Sequence, residues 1–221
     1  MRNNKPFQII IAVILALMLF IAKPVNLRAD DTPTMPFNSN YKYSNGVGNI
    51  TIWLDYSSGV GTWETYINSS ANNWMYTGWD NPIYLTFVSS NYGSNMDFHS
   101  HNGSWFVTNT GSADVFALTL FFSSSGGSLM GSSGPTASWY YSEIHINDDA
   151  FSDDNFPNEG AHGTVRHEMG HAFGLRHNNT NSNSIMHQYG VYRPDLGIYE
   201  YRNVHTIQYT DNLAVVNLYS N

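Results

Sequence analysis

The sequence has no cysteine among its 221 residues. This absence excludes a disulfide framework, a thiolate metal ligand, a catalytic thiol and a lipid-modified cysteine. The length is sufficient for one domain with a sizeable core, so no second domain is required.

Charge is also scarce, above all positive charge. Charged residues make up 12% of the chain, with 9 Lys and Arg against 17 Asp and Glu, and the net charge is −8. A nucleic-acid partner is excluded on this ground, because binding to phosphates needs a basic face. The polar, uncharged and aromatic-rich remainder is typical of a secreted domain.

Long hydrophobic runs are missing except near the start. Arg2 and Lys5 precede a mainly apolar run over residues 7–22. This order is typical of a secretory signal, and the run is shorter than the about 20 residues of a membrane-spanning helix. We therefore predict a signal peptide over residues 1–29, although no Ala-x-Ala marks its cleavage; an uncleaved anchor is the alternative. The remainder would carry 5 basic and 17 acidic residues, a net charge of −12, with no stable membrane association.

After the signal we predict an extended lead-in over residues 30–48 and one α+β domain over residues 49–221. Helical spacing of apolar residues predicts a helix over 61–78, with Thr62 as its N-cap and Gly78 as its stop. Later helices are predicted near 163–173 and over 209–219. Alternating apolar residues predict five strands, over 49–56, 82–90, 94–100, 113–122 and 141–147. Strands and helices in this order predict a mixed five-stranded sheet.

The segment "HEMGHAFGLRH", residues 167–177, carries the clearest chemical signal. Shuffling this chain's own residues would produce His-Glu-x-x-His in roughly one chain in a hundred, and the longer pattern far more rarely. In a helix, His167 and His171 lie about 6 Å apart along the axis and on one face. Gly174 can take a positive φ and end the helix. His177 can then return to complete a set of three metal ligands.

Three imidazole ligands leave a fourth position for water, which is the arrangement of a catalytic zinc site. Glu168 borders that site without competing as a ligand, and it can accept the proton of the water. A surface helix with scattered histidines and a closed structural zinc site are the alternatives. A structural site would normally supply a fourth protein ligand.

The motif resembles the metzincin signature, H-E-x-x-H-x-x-G-x-x-H followed by a Met-turn. The segment "SIMHQYG", residues 184–190, is similar to the Met-turn, with Met186 under the metal. "ADVFALTLFF" and "SEIHINDDAF" resemble the edge strand and next strand of matrixin-type catalytic domains, and "YTDNLAVVNLYS" their C-terminal helix. The resemblance implies a twisted five-stranded mixed sheet, an active-site helix, an irregular lower subdomain and a C-terminal helix. It also implies that substrate lies antiparallel to the edge strand.

Other residues leave alternatives open. His99, His101 and His145 fall where matrixins hold a second, structural zinc, but they can equally be ordinary strand and loop histidines. Four acidic residues can bind calcium or form a solvated loop; they are Asp148, Asp149, Asp153 and Asp154. Tyr189 lies near the place of a tyrosine that approaches zinc in some relatives, and it can instead be a pocket wall.

The expected function is a secreted zinc-dependent endopeptidase that cleaves protein or peptide substrates. In this interpretation Glu168 is catalytic, and three histidines, His167, His171 and His177, hold one zinc ion. Val165, Tyr189 and Val191 are predicted to wall an apolar pocket for the residue after the scissile bond. The alternative from another class is a secreted non-catalytic binding module or adhesin that retains the fold.

Overall fold

The computed structural model describes residues 32–151, 158–188, 191–193, 198–200 and 204–220, without the side chains of residues 39, 158–159 and 191–200. The predicted signal peptide, residues 1–29, lies outside the described residues. Among those described, no helix has the length and hydropathy that a membrane span requires.

The architecture is α+β and is built on a mixed five-stranded sheet. Its strands are β1 (Ile50–Leu54), β2 (Leu85–Val88), β3 (Met96–His101), β4 (Ala117–Phe122) and β7 (Tyr141–Asn147). Two short pairs lie outside it: β5 (Met130–Gly131) with β6 (Gly134–Pro135), and β8 (Val191–Arg193) with β9 (Ile198–Glu200). The described helices are α1 (Glu64–Met75), α2 (Gly103–Thr110), α3 (Asn158–Ala172) and α4 (Tyr209–Tyr219). The predicted fold class is confirmed.

The sheet has the order β2-β1-β3-β7-β4, which leaves β4 at one edge. β1 is parallel to both neighbours, and β3 is parallel to β7. β4 alone is antiparallel, with Leu118 opposite His145 and Leu120 opposite Glu143. An antiparallel edge strand on an otherwise parallel sheet is common in mixed sheets.

One hydrophobic core fixes the helix that carries the motif against the sheet. Ile52 and Ile144 on the sheet and Trp74 and Met169 on the two packed helices have no solvent exposure. The indole Nε1 of Trp74 donates to the carbonyl oxygen of Arg166 at 3.0 Å, which ties α1 to α3. The burial of these faces, rather than helix propensity, holds α3 in place.

The sequence predictions fail at three places in the first half of the chain. α1 ends at Met75 with Tyr76 as its C-cap, so Gly78 is not the residue that stops it. Thr62 is not an N-cap: a 3₁₀ turn, Val60–Trp63, precedes α1, and the Thr62 hydroxyl donates to the Gly59 carbonyl. α2 was not predicted, because its apolar residues form one short run without helical period. Its real signals are the caps, since the Asn102 side chain accepts from the Trp105 N–H and Gly111 ends the helix at φ +84°.

The predicted lead-in is anchored on the domain. Tyr43 and Val47 are buried in the core, each with 1% of its surface exposed. Pro36 forms an antiparallel bridge with Leu175, and the Phe37 N–H donates to the Gly174 carbonyl at 2.9 Å. This part of the chain therefore runs beside the segment that leads from α3 to His177.

Candidate metal centre

Two of the predicted ligands project from the last turns of α3. His167 and His171 are 5% and 9% exposed, and their ring centroids lie 4.6 Å apart. Residues four apart share a helix face, which explains why both rings reach the same region. The two imidazoles lie close together, as the four-residue spacing predicts, and metal binding by them stays a prediction.

Gly174 supplies the reversal that the spacing required. Its φ is +100°, and its N–H donates to the His171 carbonyl at 2.8 Å where the helix ends. A Cβ at this position would lie 2.6 Å from Leu218 Cδ2 and 3.2 Å from the Tyr41 carbonyl oxygen. The chain then turns back, and His177 comes to face the other two rings.

The ring nitrogens have the arrangement that a metal ion requires. The ligand atoms of His167, His171 and His177 lie within 4.8 Å of one another. The Nε2 atoms of His171 and His177 are 3.1 Å apart. A tetrahedral site with zinc–nitrogen distances near 2.0–2.1 Å needs nitrogens about 3.3 Å apart. The His171–His177 pair is therefore close to the separation that zinc requires, and the third ring lies within reach of the same ion.

The tautomers of two ligands are fixed by main-chain acceptors. Nδ1 of His167 lies 2.7 Å from the Ile185 carbonyl oxygen, and Nδ1 of His171 lies 2.7 Å from the Leu175 carbonyl oxygen. A carbonyl only accepts, so each Nδ1 must carry the proton, and each Nε2 keeps its lone pair. Both rings are thus prepared to bind a cation through Nε2.

Burial keeps these imidazoles neutral. It lowers the pKa of His167 to about 3, with a further lowering from His177. Burial also moves the pKa of His171 well below its usual value and lowers that of His177. Neutral imidazole is the form that binds metal, so the donor set suits zinc, whose preferred ligands include histidine nitrogen.

Glu168 lies beside the three ligands without belonging to them. It is 7% exposed, and its Oε2 accepts from the Thr119 hydroxyl at 2.7 Å. Burial raises the pKa of Glu168 to about 7, while the bond from Thr119 acts in the opposite direction. Thr119 belongs to the edge strand β4, so this carboxylate sits where the motif helix meets the open edge of the sheet.

Met186 packs against the helix that carries the motif; its position under a bound metal stays a prediction. It is fully buried, and a Cβ on Gly170 would overlap its Sδ and lie 3.3 Å from its Cε. Gly170 therefore has a packing role that the sequence analysis missed. A glycine in a helix interior, where it costs about 1 kcal/mol against alanine, was the available signal.

A buried aspartate holds the turn that contains Met186. Asp211, in the first turn of α4, accepts from the Ile185 N–H at 3.0 Å and from the Ser184 hydroxyl at 2.5 Å. It also accepts from the Thr34 hydroxyl at 2.5 Å. The Ile185 carbonyl in turn fixes the His167 ring. The sequence marks Asp211 only as a residue of the first turn of a helix, so this role was not predicted.

Two of the three histidines face a cleft of about 710 Å³. Glu168, His171 and His177 line it together with parts of β4, the loop 130–134 and the segment 32–37. The prediction that Val165 walls a substrate pocket is wrong, because Val165 has no exposed surface and belongs to the core. The side chains of Tyr189 and Val191 lie outside the described residues.

The other three predicted histidines have different partners. Their rings stack, with centroids of His99 and His145 5.0 Å apart and those of His101 and His145 5.1 Å apart. His101 Nε2 bonds His145 Nδ1 at 2.9 Å, and His99 Nδ1 bonds Asp55 Oδ2 at 3.1 Å. Among the residues described, the geometry that could hold a metal is found only at His167, His171 and His177.

Two of the acidic residues considered for calcium have protein donors. Asp148 accepts from the Trp63 indole N–H at 2.5 Å, and Asp149 accepts from the Gly103 N–H at 2.8 Å. Asp153 and Asp154 lie outside the described residues. Calcium binding by this loop stays a prediction.

Comparisons with known proteins add little to this geometry. No protein-family model matches the sequence. No curated protein matches it either. Two solved structures of myroilysin are similar at 16% sequence identity and a TM-score of 0.45. The first match covers 78% of this chain and 93% of that one; the second covers 88% and 94%. Likeness at this level carries no argument about function, and the resemblance to matrixins in particular stays a prediction.

Proposed function

We propose that this protein is a zinc-dependent endopeptidase of the metzincin type. The observation that carries the proposal is the convergence of three histidine ring nitrogens beside a buried glutamate, at the open edge of a β-sheet. The imidazoles of His167, His171 and His177 would hold the ion. Zinc held by three imidazoles lowers the pKa of a water molecule to about 7 and polarises a carbonyl oxygen.

The edge strand β4 would hold the peptide. The N–H and C=O groups of the even-numbered residues of β4 point towards β7. This follows from two bonds, in which the Asn147 N–H donates to the Phe116 carbonyl and the Tyr140 N–H donates to the Phe122 carbonyl. Alternation therefore directs the N–H and C=O groups of Ala117 and Thr119 to the outer edge. An extended substrate can pair with these groups, which is a common mode of peptide recognition. The pairing would place a peptide bond next to Glu168.

Glu168 would move the proton. Its carboxylate is oriented by the Thr119 hydroxyl and lies next to the ligand His167 in the chain. From this position it can accept the proton of the attacking water and pass it to the departing amine. The proton then ends on the new amino terminus, and the carboxylate is restored for the next turnover.

We also propose that the enzyme is exported and acts outside the cell after residues 1–29 are removed. The charge and hydropathy of that segment support this proposal. An intact-mass measurement on the secreted protein tests the cleavage. We expect the mass of a chain whose first residue lies near Asp30. A secreted form that keeps residues 7–22 would indicate a membrane-anchored enzyme instead.

The experiment that tests the activity is digestion of a peptide library with matched metal analysis. We expect one zinc per protein, internal cleavage of peptides, and loss of cleavage with 1,10-phenanthroline that added zinc reverses. A non-catalytic binding module would bind zinc or peptides without cleaving them. Active protein that contains no zinc would overturn the mechanism.

A further inference from the structure

The first part of the lead-in that the structure describes, residues 32–37, forms a wall of the cleft. Met35, which is 50% exposed, and Phe37 line the cleft beside the ligands. The Phe37 ring stacks on the ligand His171, with centroids 5.8 Å apart and planes at 30°. The main chain is held in place, because the Arg176 N–H donates to the Met35 carbonyl at 3.0 Å.

A second, adjacent wall is the hairpin formed by β5 and β6. Met130, 38% exposed, lines the cleft together with Gly131 and Gly134. A Cβ on Gly134 would lie 2.8 Å from Phe37 Cε1, so the loop directly contacts the Phe37 ring. Phe121 closes the floor, with its ring centroid 5.6 Å from that of Phe37. The space between the walls is therefore apolar and already formed.

The sheet edge that would bind substrate ends at this apolar space. The Leu129 N–H donates to the Phe121 carbonyl at 2.8 Å, which occupies the outer edge of β4 at that residue. A substrate paired with Ala117 and Thr119 must therefore leave the edge at Phe121. Phe121 lies two residues beyond Thr119, or about 7 Å along an extended strand. The substrate side chain that leaves the edge there meets the apolar walls.

The direction of the substrate follows from the stability of strand pairing. Antiparallel pairing is the more stable per residue, so the substrate is expected to run opposite to β4. Residues of β4 after Thr119 then face the part of the substrate that precedes the scissile bond. The apolar space thus lies on the amino-terminal side of the bond that Glu168 serves.

We propose that Met35, Phe37, Phe121 and Met130 form a subsite that selects a large apolar side chain two or three residues before the scissile bond. The inference rests on the proposed endopeptidase and names its substrate preference. Flexible methionine side chains at both walls suit a pocket that accepts several large apolar side chains. The lead-in is then a specificity-determining element rather than a tether.

A set of peptide pairs tests the subsite. The two peptides of a pair differ only by Phe or Ser at one of the six positions around the cleaved bond. In the wild type we expect kcat/KM to favour Phe roughly tenfold or more at the second or third position before the bond. Met35→Ala combined with Met130→Ala should reduce that ratio to about one to three. Both methionines are exposed, so the double variant should fold. Val107→Ala, at a 50% exposed apolar residue of α2 outside the cleft, is the control and should keep the wild-type ratio.

A charge switch sharpens the test. Met130→Glu should lower kcat/KM for the Phe peptide and raise it for a peptide with Lys at the same position. An unchanged Phe-to-Ser ratio in the double variant would overturn the proposal. A preference confined to positions after the bond would overturn it as well.

A binding measurement gives the same comparison without turnover. Two hexapeptides carry Phe second or third from the carboxyl end. At least one of them should bind the wild type roughly tenfold more tightly than its Ser counterpart, and the double variant should bind each pair about equally. Equal dissociation constants for Phe and Ser peptides at both positions in the wild type would overturn the subsite. Zinc content and digestion of casein, measured on the same samples, test the proposed function separately.

Discussion

Gly170→Ala isolates the contact between the motif helix and Met186. In an open helix interior this change stabilises by about 1 kcal/mol. Here the added Cβ would overlap Met186 Sδ and lie 3.3 Å from Trp74 Cζ2, and both neighbours are fully buried. Overpacking of a dense core costs about 1–3 kcal/mol. Because the overlap is severe, we take the upper value and expect a net loss near 2 kcal/mol in the free energy of unfolding.

Urea unfolding of the metal-free protein measures this loss, since a shift of the midpoint at constant m reports stability. Met186→Ala alone should cost about 2–5 kcal/mol through the cavity it leaves. The double variant Gly170→Ala/Met186→Ala should cost about 1–3 kcal/mol less than the sum of the single changes, because the overlap is removed. A stabilised Gly170→Ala protein, or strictly additive costs, would refute the packing argument.

Two further predictions concern buried carboxylates. Asp211→Asn should lower the free energy of unfolding by about 2–4 kcal/mol, because the amide NH₂ would face N–H donors that now bond to the carboxylate. Chemical denaturation measures this loss, and an unchanged midpoint would contradict it. The pKa of Asp97 is raised to about 6, chiefly by burial, so the folded chain binds this proton more tightly than the unfolded chain. The stability from that proton is present below pH 4 and lost as the pH rises through about 6. The free energy of unfolding of Asp97→Asn should therefore equal that of the wild type near pH 4 and exceed it by about 1 kcal/mol at pH 8, after allowance for solvent screening. A variant less stable than the wild type at pH 8 would contradict the raised pKa of Asp97.

The sequence alone predicted the parts of the site that local spacing determines. The four-residue interval between His167 and His171 predicts that both lie on one face of a helix. The glycine before His177 predicts that the chain reverses direction there. The C-terminal helix, 209–219, was predicted with the observed limits. Strand β7 was also predicted correctly at 141–147.

Contacts between distant residues could not be predicted in this way. Thr119 meets Glu168 across 49 residues, and Thr34 meets Asp211 across 177. No periodicity encodes such pairs, because they depend on how β4 and the lead-in are placed by the whole fold. In the sequence Phe37 is an aromatic residue in a polar lead-in, and nothing near it indicates a contact with His171. The bridge between Pro36 and Leu175 brings the two rings together.

Helix limits failed where a tertiary or capping feature outweighed the periodic pattern. Thr62 has the right chemistry for an N-cap, but a 3₁₀ turn occupies Val60–Trp63 and delays the helix to Glu64. α2 depends on an asparagine cap and a terminal glycine around only eight residues. Signals of this kind become readable once caps are searched for independently of hydrophobic period.

The most direct test of the central claim compares zinc content and kcat/KM of Glu168→Gln with those of His171→Ala. Glutamine keeps the size of glutamate and can still accept from Thr119, but it cannot accept a proton from water at neutral pH. We expect Glu168→Gln to keep its zinc and lose activity by about 10²–10⁴-fold or more, and His171→Ala to lose zinc and activity together. A Glu168→Gln protein that loses its zinc, or that keeps both zinc and full activity, would contradict the role assigned to this residue.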